Sequence, residues 1–271
     1  MLPDDDDDGD NERGETSGAP LSYLGALGWT FGLSGLTALI AVVASSLRPG
    51  GALDVGTELL ATAAATLTLL FAIARVHSPS VELSELVGLR RVPVVLVVLA
   101  LVAGAGLVFP LAQLDARVAE RFPLDEELRE YLATDTLRQR VLLSLFAVFG
   151  PLLAELFYRG AVFGALERDK PRATVVFVVT ALAVFPPSAH ALFSGLAFAA
   201  IASHLRGASG SVWPSLALRL GASAVGVVAL LTRHDEAALP TSATAACVVA
   251  VVLSLGLFFA FTRARANSAP R

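Results

Sequence analysis

Long apolar stretches recur along the whole chain, and they restrict its fold more than any other feature of the sequence. Each stretch holds about 17 to 25 residues, enough for a helix to cross the roughly 30 Å hydrocarbon layer of a membrane. Hydrophobic residues make up 55% of the chain and charged residues only 16%. A water-soluble domain does not need such a composition. The sequence therefore predicts an all-α, polytopic membrane helix bundle with about eight transmembrane helices, near residues 24–46, 54–76, 92–114, 141–163, 173–189, 190–206, 212–232 and 242–262.

The fifth and sixth predicted spans adjoin each other around Pro186 and Pro187. Proline interrupts the hydrogen-bond ladder of a helix. Either two short spans meet at this point, or residues 173–206 form a single kinked helix.

The remaining organisation follows from composition. Residues 1–20 are acidic and polar, which predicts a disordered N-terminal arm and is not the pattern of a cleavable signal peptide. Residues 21–140 hold the first transmembrane helices and a connector of mixed charge. In that connector, apolar residues at helical spacing predict an amphipathic helix, which we interpret as a surface connector rather than a lid: Leu124, Leu128, Tyr131 and Leu132. Residues 141–232 form the core that carries the motifs, and residues 233–271 form the last span and a basic tail.

Charge and cysteine content exclude several classes of protein. No basic patch suggests nucleic acid as a partner, and Cys247 is the only cysteine, so no internal disulfide or thiolate zinc site can form. We find no motif for a cofactor or a metal. The loops on the side of both termini carry more basic residues, which predicts that both termini lie in the cytoplasm.

Glu155 and Arg159 place opposite charges inside the fourth predicted span. Charge at membrane depth is costly, so such residues usually face the interior of a bundle or a polar cavity. Four residues apart on a helix, the two side chains lie within pairing distance. The pair is either a salt bridge that fixes helix packing or part of an active site.

Two further polar sites lie in later spans. His190 follows the proline pair, and Arg219 and Ser223 are four residues apart near the start of the seventh span. The order and spacing of three motifs resemble the CPBP family of intramembrane endopeptidases. The motifs are the segment 155–160, then His190, then the segment 210–216 that precedes Arg219 and Ser223. That family includes the CAAX prenyl proteases and the bacteriocin-immunity (Abi-like) proteins. The resemblance covers roughly residues 141–232.

The resemblance implies a helical bundle with a polar cavity in a membrane, here the bacterial inner (plasma) membrane. In the family, a Glu-Glu-x-x-x-Arg motif supplies a glutamate base for water, assisted by a histidine from a Phe-x-x-x-His motif. A His-x-x-x-Asn motif stabilises the oxyanion. Such a division of roles suits hydrolysis, because a carboxylate activates water while neutral donors hold the developing charge.

This chain departs from the family pattern at several of those positions. Ala154 stands in place of the first glutamate, and alanine cannot accept a proton. His190 matches, but Pro186 takes the place of the motif's phenylalanine. Arg219 and Ser223 replace the histidine and asparagine, and an arginine, always charged, cannot act as a base. The residual catalytic candidates are Glu155 and His190.

Two functions are consistent with this pattern. We favour a catalytically impaired relative whose cavity binds a membrane segment, a peptide or a lipid. The alternative is an active glutamic-type endopeptidase that uses Glu155 and His190, although the neighbouring Arg159 should make Glu155 a poor base. A polar cluster of Arg159, Arg219 and Ser223 would in either case shape the cavity. Arg219 is expected to reach Glu155, and the excess cation to be offset by water, backbone carbonyls or a bound anion. A transporter is a weaker alternative that only the polytopic architecture suggests.

Overall fold

The computed structural model describes residues 18–47, 54–122, 136–185, 192–232 and 240–268. Residues 1–17 of the predicted N-terminal arm lie outside these residues, as does the part of the connector from 123 to 135, which includes Leu124, Leu128, Tyr131 and Leu132. The described part folds into nine helices, which we number α1 to α9 in chain order. They are α1 (Tyr23–Ser46), α2 (Val55–His77), α3 (Leu83–Val87), α4 (Val94–Ala119), α5 (Leu137–Glu167), α6 (Arg172–Leu182), α7 (Leu192–Ser209), α8 (Trp213–Thr232) and α9 (Thr241–Ser268).

Local sequence signals explain where the long helices begin. The Ser22 side chain caps α1 by accepting a hydrogen bond from the backbone of Gly25. Thr136 and Gln139 form a reciprocal capping box at the start of α5. Such caps satisfy backbone N–H groups that have no partner within the helix. They begin α5 a turn earlier than its apolar pattern alone suggests.

Six helices are long and apolar enough to cross a membrane within the described residues: α1, α2, α4, α5, α8 and α9. The predicted fifth and sixth spans are α6, which has 11 residues, and α7, which has 18. They are separate helices that pack against each other. α7 is less apolar than a typical span because its last third contains His204 and Arg206. The chain is therefore a polytopic helical membrane protein. Its described part has six candidate spans, the helix pair α6 and α7, and the short α3.

α4 and α8 approach each other most closely through glycine. A Cβ atom on Gly104 would collide with the carbonyl oxygen of Leu218, and one on Gly221 would collide with that of Leu101. Small residues allow helix backbones to come this close in a membrane, where packing holds helices together. This contact fixes the position of α8 in the bundle.

The buried apolar residues form two clusters. One is built by α1, α2, α3, α5 and α6, and the other by α4, α7, α8 and α9. α5 also packs directly against α8. The polar residues discussed next lie at this junction between the two clusters.

Candidate functional site

The polar motif of α5 coincides with a change in helix geometry. The helix has normal α geometry up to Glu155, and the following residues Leu156–Val162 form a π-helix. Short π segments are rare and occur frequently at functional sites, because the wider turn re-aims neighbouring side chains. Arg159 lies inside this segment and is buried, as is Glu155.

One carboxylate oxygen binds two arginines here. Glu155 Oε1 lies 3.5 Å from Nη1 of Arg159. The same oxygen lies 3.2 Å from Nη2 and 3.3 Å from Nε of Arg219 on α8. The Glu155 side chain is fully buried, and that of Arg159 is 2% exposed. We call these three residues the membrane cluster. The contact from Arg219 agrees with the expectation drawn from the sequence.

Backbone carbonyls satisfy further groups around Arg159. Its Nη2 donates to the carbonyl oxygen of Ala199 on α7 at 3.0 Å. The carbonyl oxygen of Arg159 itself accepts from Nε of Arg206 at 2.9 Å. Part of the expected compensation of the excess cation is thus a backbone carbonyl. These bonds fasten the π segment to α7.

Arg219 connects the membrane cluster to a cavity of about 250 Å³. The cavity lies between α4, α7 and α8, and its polar lining residues are Asp115, Ser194 and Arg219. The guanidinium carbon of Arg219 lies 3.8 Å from the centre of the Phe198 ring, a cation–π contact. With 27% of its side chain exposed, Arg219 can be reached from the cavity.

The other residues predicted for the site have different surroundings. The Ser223 hydroxyl donates to the carbonyl oxygen of Ala147 at 2.8 Å, two turns before Glu155 on α5. Ser223 therefore holds α8 against α5 and is not hydrogen-bonded to the membrane cluster. Ala154 is partly buried and packs against the apolar cluster of α1, α2 and α5. His190 lies outside the described residues.

Two polar residues near the site were not anticipated from the sequence. Asp115 was assigned to the connector, but α4 continues to Ala119 and places it on the cavity wall. Arg206 was predicted as the last residue of the sixth span, at the membrane surface, yet only 4% of its side chain is exposed. The one signal in the sequence was that each follows an apolar run by less than a turn. Within the described residues, no group of three His, Cys, Asp or Glu side chains could hold a metal ion.

Residues 136–225 match the family model described as Type II CAAX prenyl endopeptidase Rce1-like. The matched segment contains all of α5 to α7 and the first part of α8, and thus the whole membrane cluster. No curated protein and no solved structure matches the chain.

Proposed function

We propose that this multi-pass membrane protein, whose residues 136–225 form a Rce1-like domain of the CPBP family, is a non-hydrolytic relative of the endopeptidases it resembles. In this proposal the cavity beside Arg219 binds a membrane-embedded peptide segment and does not cleave it. The bacterial inner membrane, with both termini in the cytoplasm, is the proposed location.

The observation that supports loss of hydrolysis is the double ion pair on Glu155. A general base must have an oxygen free to take a proton from water, at a positioned distance. Two guanidinium groups contact Oε1 of Glu155, so this oxygen is already held in ion pairs. Ala154 supplies no second carboxylate. General-base assistance typically contributes about 10²- to 10⁴-fold, so its loss would remove most of the activity.

The cavity supports a binding role. Asp115 and Arg219 line it together, so its walls carry one acidic and one basic group and do not require an anion for charge balance. A peptide backbone offers both donors and acceptors to such a pair. Apolar residues of α4 complete the wall and suit the side chains of a membrane segment: Val108, Leu111 and Ala112.

Crosslinking tests the binding role. A photoreactive amino acid at Ala222, on the cavity wall, should capture a peptide partner in membranes, and Arg219→Ala should reduce the captured amount severalfold. The same crosslinker at Val252, which is exposed on α9, is the control. Capture of lipid alone from Ala222, or capture that Arg219→Ala does not change, would refute peptide binding at this cavity.

Restoration of the family pattern tests the catalytic part. The triple variant Ala154→Glu, Arg219→His and Ser223→Asn should acquire cleavage of a membrane peptide, whereas the unmodified chain should have none. In this variant Arg159 would remain to pair with Glu155. Equal turnover by both proteins would contradict the proposal.

The alternative is an active endopeptidase that uses Glu155 and His190. One observation favours it: among the described residues, Oε2 of Glu155 finds no hydrogen-bond partner. An oxygen in that condition could hold a water. Loss of peptide cleavage in both Glu155→Gln and His190→Ala would establish this alternative.

The arrangement of the loops supports the proposal that both termini lie on the same side of the membrane. His77 and Arg168 are hydrogen-bonded, as are Gly88 and Val212, so the loops after α2, α3, α5 and α7 meet on one side. α6 begins on that side and α7 ends there. The two helices together therefore do not change the side on which the chain continues, and both termini lie on the same side whether six or eight helices span the membrane. Cysteine labelling of Ser268→Cys from the cytoplasmic side alone is the expected result.

A further inference from the structure

A second polar site lies where the loops after α3, α5 and α7 meet, apart from the membrane cluster. It is a pocket of about 320 Å³, which we call the surface pocket. Its charged lining residues are Glu85, Arg90, Glu167, Arg168, Arg172 and Arg206. Four arginines against two glutamates leave an excess of positive charge.

The arginines of the surface pocket outnumber the carboxylates that pair with them. Glu167 Oε1 accepts from Nε of Arg172 at 2.7 Å, and Oε2 lies 3.9 Å from Nη2 of Arg206. One glutamate therefore serves two arginines. Arg168 donates to two neutral groups, the carbonyl oxygen of His77 and the hydroxyl of Ser78. Arginine groups in this state bind phosphate well, since each guanidinium presents several donors.

An apolar groove of about 660 Å³ adjoins the surface pocket, and Arg172 lines both. The groove follows one face of α6 from Arg172 to Thr180, about 12 Å along the helix. Small residues of α7 form its floor, and Phe177, which is 73% exposed, stands at its side. Gly207 allows α7 to pack closely against α6 at this point, because a Cβ atom there would lie 3.0 Å from Cγ2 of Val176. Hydrocarbon is the chemistry that fits such a groove in a membrane.

We propose that the surface pocket and the groove together bind one anionic phospholipid, with its phosphate on Arg172 and an acyl chain along α6. Arg172 is suited to this role because 59% of its side chain is exposed although Nε is held by Glu167. Arg206 supplies fixed positive charge beneath it, since only 4% of that side chain is exposed. The proposal concerns a different site from the cavity beside Arg219 and does not depend on the proposed function.

Native mass spectrometry of the full chain tests the proposal directly. The protein is released from nanodiscs that contain equal amounts of phosphatidylglycerol and phosphatidylcholine, and the retained lipids are counted. We expect one phosphatidylglycerol to be retained in preference. Arg172→Gln removes one positive charge near the membrane surface and should lower that retention by about fivefold.

A second variant tests the acyl-chain part without changing any charge. Ala208 is exposed in the groove, and Ala208→Phe should fill it and lower retention by a similar factor.

The matched control for Arg172→Gln is Arg265→Gln, an exposed arginine at the end of α9 outside the pocket. Unchanged retention in Ala208→Phe would reduce the site to a phosphate site without an acyl chain. An equal loss in Arg265→Gln would show general surface attraction. Either result would overturn the proposal, as would retention of the two lipids in equal amounts.

Discussion

The membrane cluster and the surface pocket both pair arginines with glutamates, but they differ in how each charge is balanced. In the membrane cluster, Glu155 is fully buried and each charged group has a protein partner within 3.5 Å. In the surface pocket, the pair of Arg90 and Glu85 is more than half exposed. Water can stabilise these side chains whether or not the pair forms. The same residue types therefore hold the fold together in one region and remain available to a ligand in the other.

The difference follows from desolvation. Removal of one partner from a buried pair leaves an uncompensated charge and costs about 3–5 kcal/mol, whereas an exposed pair contributes about 0–1 kcal/mol. The contrast should appear directly in the stability of matched variants. The next four predictions are ordered by the size of the expected effect on the free energy of unfolding in detergent or bicelles.

Glu155→Gln should have the largest effect. The variant leaves Arg159 and Arg219 without their shared carboxylate, and we expect a loss of about 3–5 kcal/mol. Steric trapping of the unfolded state measures this change in the free energy of unfolding. If the variant were as stable as the unmodified protein, the membrane cluster would not hold the fold.

Gly221→Ala should cost about 3 kcal/mol, because its Cβ would meet the backbone of Leu101 on α4. This variant asks whether helix packing, rather than the ion pair, sets the position of Arg219. Gly35→Ala in α1 is the control, since nothing lies within 4 Å of its Cβ position. The control should be neutral or slightly stabilising, because alanine favours helix. Equal effects at both glycines would argue against the close contact.

Arg206→Lys should have an intermediate effect, since Arg206 lies between the two regions. Lysine keeps the charge but loses the Nε bond to the carbonyl oxygen of Arg159. A bond from a charged donor typically contributes about 1.5–3 kcal/mol. The midpoint of thermal unfolding should fall accordingly. An unchanged midpoint would place Arg206 with the exposed arginines of the surface pocket.

Glu85→Gln should have the smallest effect, less than about 1 kcal/mol, since its pair with Arg90 is exposed. The effect should shrink further as salt is added. A loss as large as that of Glu155→Gln would remove the contrast between the two regions.

The sequence predicted the architecture well where one physical rule dominates. Apolar length predicted the six long helices with ends within about six residues, but it did not predict the short α3. Four-residue spacing predicted the pair of Glu155 and Arg159. It predicted eight spans, whereas the structure has six candidate spans in its described part. Proline and apolar length alone could not show that residues 172–182 would form a helix too short to span.

The tertiary contacts of the site could be predicted only in part. Contact between Arg219 and Glu155 was one compensatory account of the substitutions, and the cost of an unpaired cation predicted that the remaining positive charge would be offset. The second bond of Arg159, to the carbonyl oxygen of Ala199, depends on how α7 packs and has no local signal. Asp115 and Arg206 lie near helix ends, where charged residues normally face water, so neither the place of Asp115 on the cavity wall nor the burial of Arg206 could be inferred from position. His190, the one catalytic residue of the family pattern that this chain keeps, lies outside the described residues.

The most direct measurement is a cleavage assay on the unmodified protein. A membrane-spanning peptide with a fluorescent label is placed in liposomes with the purified chain, with Glu155→Gln, or with no protein, and products are identified by mass spectrometry. If Glu155 serves as an ion-pair partner and not as a base, the three samples should give the same background. Cleavage by the unmodified protein that Glu155→Gln abolishes, while Gly221→Ala, a variant with a similar expected loss of stability, retains it, would show that Glu155 is a working catalytic residue.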